Sequence, residues 1–294
     1  MRRISGQSSL LPAIATPGYL TEEGVSLIDA ANLARPAVHV TTAFNKTATV
    51  LRMLIGLLDF EGLESPEIEG RKAEVFNYLE LLFHRSAALG EYLGDIVKAC
   101  LGGSKKAHQV KRAIDFRIER LFKMPINTIK HSSFDFCWIN MHDALSATFG
   151  YSITGPTEEK IYAPIKFRKK DKNSPEAYSM ALVLRDYLLS LYDMTALVEQ
   201  SLIEAGLAHK GACPNQHGAD QAMISELIEG LNTLPLHGFP DEAGNRIPIY
   251  SISDGALTVV MRPLRMLTGQ VKIQSEIRSV SSGVSYKLPY FGKR

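Results

Sequence analysis

Apolar positions recur along most of the chain at the spacing of one helical face and give way to alternation over 151–177 and again past residue 235. Thr21, ahead of Glu22 and Glu23, predicts a capped helix start; Val25, Leu27, Ile28 and Leu33 form its apolar side, and Arg35-Pro36 stops it. From Phe44 to Asp59, residues Val50, Leu51, Leu54, Leu57 and Leu58 predict a core helix. A proline-bearing loop at 61–67 follows, and then one apolar stripe runs from Val75 through Leu82, Leu93 and Val97 to Leu101, ending at Gly102-Gly103. Ser104 caps a further predicted helix that turns Val110, Ala113, Ile114, Ile118, Leu121 and Phe122 inward. Lys123-Met124-Pro125 breaks that helix, and another is expected to begin at Pro125, which leads into Phe134, Phe136 and the single Trp138 as core residues. Long helices with short connections are the pattern of an antiparallel bundle.

The period changes at Gly150-Tyr151, where 151–177 alternates, carries prolines and reads as an extended connection or short edge hairpin. A long helix is expected after Ser174-Pro175-Glu176, with Ala181, Leu184, Leu188, Leu191, Thr195, Val198 and Leu202 on one face. A shorter one follows through Ile224, Leu227, Ile228 and Leu231. Beyond Pro235, alternation on both sides of Asp254-Gly255 predicts a hairpin with strands at 247–253 and 256–262, and Val271, Ile273 and Ile277 predict one more strand. The expected fold is mainly α, an antiparallel helical bundle with a small C-terminal antiparallel β-sheet, α+β overall. Its parts are an N-terminal arm (1–19), the bundle (20–150), an extended connection (151–177), a second helical pair packed on the bundle (178–234) and a small β region (235–294).

A net charge of +2 conceals an uneven distribution. Asp59 to Asp95 holds nine acids against three bases, Gly103 to His131 eight bases against two acids, and Arg262 to Arg294 seven bases against one acid. Two basic regions can therefore meet phosphate or an acidic partner surface, unless the acidic helix neutralises the basic one inside the fold. The three cysteines are too scattered for a disulfide framework, the first residues lack the apolar core of a leader, and no run approaches a bilayer span. A cytoplasmic protein without membrane contact is expected.

Candidate chemistry concentrates in one short stretch. On a helix, Asn127, Lys130 and His131 fall at i, i+3 and i+4, so an amide, an ammonium and an imidazole share a face that can hold a phosphodiester and accept a proton. The structural alternative is a capping Asn127, a solvated Lys130 and a His131 bonded inside the bundle. His209, Cys213 and His217 have metal-like spacing, but no second Cys/His pair follows and the surrounding residues read as a plain loop, so no metal is expected. Cys137 with His142 and Asp143 is a poor nucleophile set, because i and i+5 of one helix do not share a face. No phosphate loop, dinucleotide fingerprint, HExxH or GxSxG occurs, and no cofactor is expected.

Over residues 70–205 the chain resembles the HEPN superfamily, helical domains of many prokaryotic toxins and defence effectors, whose motif is arginine, a polar residue, a few variable positions and histidine. Asn127 and His131 match the polar residue and the histidine, whereas Ile126 stands where the family has arginine and Lys130 supplies a cation nearby. The resemblance implies a component of a bacterial toxin or defence system that acts on or binds RNA, with a homodimer completing the site. If catalytic, it would be a metal-independent ribonuclease with His131 as base. The other expectation is a non-enzymatic binding or scaffold subunit that docks nucleic acid or a protein partner through basic surfaces, foremost Lys105, Lys106, Lys111 and Arg112.

Overall fold

The computed structural model describes residues 1–6, 9–59, 64–118, 135–142, 147–156, 162–164, 177–210, 218–239, 242–266 and 272–277. Among these it is mainly helical, with α1 (Glu22–Ala30), α2 (Pro36–Leu57), α3 (Ser65–Leu101), α4 (Lys105–Ile118), α5 (Met180–Glu204) and α6 (Gly218–Thr233), accompanied by two small antiparallel sheets and one short parallel strand pair. The strands are β1 (Arg2–Arg3), β2 (Asp135–His142), β3 (Ala147–Pro156), β4 (Tyr162–Pro164), β5 (Tyr178–Ser179), β6 (His237–Gly238), β7 (Arg246–Ser253), β8 (Ala256–Pro263), β9 (Arg265–Met266) and β10 (Lys272–Ile277).

Helix starts follow local chemistry. Thr21 Oγ1 accepts from the Gly24 N–H at 3.2 Å, as expected of a hydroxyl cap. α1 ends at Ala30, with Asn32 in the left-handed region at φ 54°, before the stop expected at Arg35-Pro36; Pro36 instead occupies the first turn of α2, where its missing N–H has no helical partner to lose, and Arg35 ahead of it is extended. The helix predicted from Phe44 thus begins eight residues earlier. Glu64 and Glu67 close a reciprocal capping box on α3. α5 is the central element: besides its predicted face it buries Met180, Leu182, Tyr187, Tyr192 and Met194, so apolar cover surrounds most of it.

The C-terminal hairpin forms as predicted. β7 and β8 pair antiparallel from Arg246 opposite Pro263 to Ser253 opposite Ala256. Asp254 and Gly255 take φ of 52° and 68°, the left-handed pair that a two-residue hairpin turn requires. The following strand, β10, joins a different sheet: it pairs with β2, opposite Cys137 to His142, in the order β10-β2-β3-β4, with β5 also on β3.

Residues 135–142 and 147–150, expected as the last part of the helical bundle, form strands instead. β2 is buried on both faces: Phe136 and Trp138 face Phe76 of α3, while Ile139 and Met141 pack with Ala177 and Phe239. A doubly buried strand has no alternation to betray it, so its continuous apolar run reads equally well as helix. The N-terminal arm is docked. Arg2 and Arg3 add an edge strand to β8, and Leu10, Leu11, Ile14 and Tyr19 are each at most 3% exposed. The Ile14 N–H donates to Glu199 of α5 at 2.8 Å, and Tyr192 donates to the Leu10 carbonyl.

A candidate nucleic-acid interface on the fourth helix

α4 is held by one side and displays the other. Ser104 accepts from the Ala107 N–H at 3.1 Å and so caps the helix as predicted. Ala107, Val110, Ile114 and Ile118 are buried. At the far end the Ile118 side chain lies against the α3 backbone at Gly90, where an added Cβ would lie 2.1 Å from its Cδ1 and would force that side chain to shift. α4 therefore packs along the C-terminal part of α3, by apolar contact.

α4 thus packs on the helix that carries most of the acidic 59–95 segment, but among the described residues its ion pairs run to α5. Lys106 meets Glu204 at 2.9 Å, and Arg117 meets Asp193 at 3.1 Å, where Arg2 of the N-terminal strand also binds at 2.8 Å. Lys106, together with Gln200, holds the exposed Glu204 carboxyl below its ordinary range. Lys105, Lys111 and Arg112 are exposed and form no ion pair among the described residues. Asp115 is the single acid on α4, and as the C-terminal member of a Lys111/Asp115 pair it has the less favourable order for an i, i+4 contact.

Helical spacing brings Lys105, Arg112 and Phe116 onto the crest of this face. Phe116 is 62% exposed, an aromatic ring out of phase with the buried positions. The sequence reading missed it, although its place four residues after Arg112, opposite Ile114, was the available signal. On the flank toward α3 an open groove of about 430 Å³ lies at the α3–α4 elbow. Val97 and Ala107 are buried in its floor, and Lys98, His108 and Lys111 line it. The His108 Nδ1 lies 2.9 Å from the Ser104 carbonyl, which accepts only from a protonated nitrogen, so Nε2 is the ring atom left for another partner.

Asn127, Lys130 and His131 lie outside the described residues, as do Asp143, Cys213 and His217. Cys137 is buried on β2 and His142 is five residues further along that strand, about 17 Å away, which separates the pair even more than a helix would. Among the described residues no group of three His, Cys, Asp or Glu is placed to hold a metal ion, and no helix is long and apolar enough to cross a membrane. The buried carboxylate Glu242, which sequence reasoning did not single out, is pushed up to about 7 by burial. It accepts from the Ser179 and Phe239 N–H groups, each at 2.9 Å, and so clamps backbone. Its sequence signal is absent, because only the fold brings residues 179 and 239 together. No family model, no curated protein and no solved structure matches the chain.

Proposed function

We propose that this protein is a nucleic-acid-binding component of HEPN-like character that holds single-stranded RNA on the outward face of α4. The carrying observation is the outward surface of α4: Lys105 and Arg112 on its crest and Lys111 on its flank stand exposed without ion-pair partners among the described residues, beside an exposed aromatic ring. Cations at this density attract a phosphate backbone, and Phe116 offers a stacking platform for one base, an interaction of about 1–3 kcal/mol that tolerates any sequence. The family resemblance favours RNA over DNA. Binding is the better-supported half of the reading, since the cleavage chemistry would fall to Asn127, Lys130 and His131.

The test is affinity for a labelled RNA oligomer as a function of salt. Three phosphate contacts give a log–log slope of about −2 on a single strand. Changing Lys111 and Arg112 together to glutamine flattens it by roughly 1.4 units on unrelated sequences, because phosphate contacts carry no base information. Salt-independent affinity, or a slope unchanged in the double variant, removes α4 as the interface and leaves a protein partner as the occupant. In the same preparations, RNA cleavage lost in His131→Ala with the melting temperature unchanged assigns the ribonuclease. RNA bound but left intact by the wild-type chain assigns a binding subunit.

A further inference from the structure

The groove at the α3–α4 elbow differs in chemistry from the crest above it. Its lining is mostly apolar, from Gly102, Gly103 and the side-chain stems of Lys98 and Lys111 over the buried Val97 and Ala107, and the described lining residues Lys98, His108 and Lys111 bring nitrogen atoms but no carboxylate. The chain turns past it through Gly102 and Gly103, where an added Cβ would meet nothing within 4 Å, so this side of the groove is open. Its volume of about 430 Å³ lies within the range of small-molecule sites, roughly 300–1,000 Å³. A ligand matching both halves has a flat apolar body and an anionic end. His108 and Phe116 are eight residues apart on α4, about 12 Å along its axis, so one strand can reach both.

We infer that this groove seats one unpaired nucleotide of the bound strand, its base on the apolar lining, its phosphate between the ammonium groups of Lys98 and Lys111, and a ribose hydroxyl donating to the His108 Nε2, the acceptor left while Nδ1 donates to Ser104. The inference rests on the RNA-binding reading and adds a requirement for an unstacked base, which a duplex cannot supply without opening. It makes the surface selective for single strands even where the backbone charge is the same.

Adenosine monophosphate is the direct probe, titrated calorimetrically into the full chain at low salt, with a labelled oligoadenylate followed in parallel by anisotropy. Two double variants separate groove from crest: Lys98→Gln with His108→Gln, and Lys105→Gln with Arg112→Gln. All four residues are exposed, so melting temperatures should match the wild type. The expected result is saturable nucleotide binding, weakened about tenfold or more by the groove pair and unchanged by the crest pair, with the crest pair weakening the oligomer instead. Adenosine and inorganic phosphate should each compete less well than the nucleotide, since each satisfies half of the site. Nucleotide affinity indifferent to the groove pair overturns the seat, and so does inorganic phosphate competing as well as the nucleotide. Oligomer binding with the expected salt slope but no nucleotide binding overturns the seat and leaves the RNA reading in place. Nucleotide binding lost with the groove pair, in a chain that ignores the oligomer, supports the seat and removes the RNA reading.

Discussion

At the scale of single residues, buried polar groups in this protein fasten segments to one another. The Arg185 side chain is fully buried and donates to the Leu231 and Leu234 carbonyls, which satisfies the C-terminal end of α6 from α5. Glu199 does the same for the N-terminal segment by accepting from Ile14, and burial pushes its carboxyl up to about 7. A carboxyl raised in the folded state binds its proton more tightly there than in the unfolded chain. Its contribution is therefore fully present below the unfolded value near 4.5 and is lost as pH rises through about 7. Glu242 acts in the same direction, so stability should fall from pH 5 to pH 8. Glu199→Gln keeps an acceptor oxygen for Ile14 and removes the titration, which should shrink that difference by on the order of 2 kcal/mol. Urea denaturation at the two pH values measures it, and an undiminished difference would show that Glu199 does not titrate between them.

At the scale of elements, local signals were strongest where a side chain acts on its own backbone. Ser104 is such a case: Ser104→Ala should cost about 0.5–2 kcal/mol by exposing the first turn of α4, and Ser104→Asp should restore most of it. Denaturant midpoints measure both, and equal midpoints for serine and alanine would mean that the cap contributes nothing. The Asp254-Gly255 hairpin was legible for the same reason, because the turn chemistry and the alternation on each side agree. β2 was not legible. Its residues fit helix or strand, and the choice was made by its partners, with β3 and β10 pairing on its two edges and Phe76 stacking on Phe136 at 5.0 Å.

At the scale of the whole molecule, the N-terminal segment does structural work that no local pattern announces. Leu10 and Leu11 belong to the main core, and β1 extends the sheet formed by β7 and β8. Leu11, 1% exposed, should cost about 2–5 kcal/mol when changed to alanine, close to the loss from a core leucine in a long helix. A loss under about 1 kcal/mol, on the scale of an exposed site, would show that the segment is not docked.

The sequence by itself determined the helices with one clean apolar stripe, the caps at Thr21 and Ser104, the C-terminal hairpin and the basic face of α4. Each depends on residues at most a few positions apart, where periodicity and backbone chemistry act directly. Only the tertiary structure decided which strands share a sheet, that β10 crosses to β2, that the N-terminal segment enters the core, and that Lys106 and Arg117 are paired with α5 while Lys105, Lys111 and Arg112 form no ion pair among the described residues. It also decided that Val97 and Ala107 floor a groove edged by Lys98, His108 and Lys111. Those outcomes depend on contacts between residues far apart in the chain, and one-dimensional periodicity carries the direction of a side chain but not the identity of what it meets.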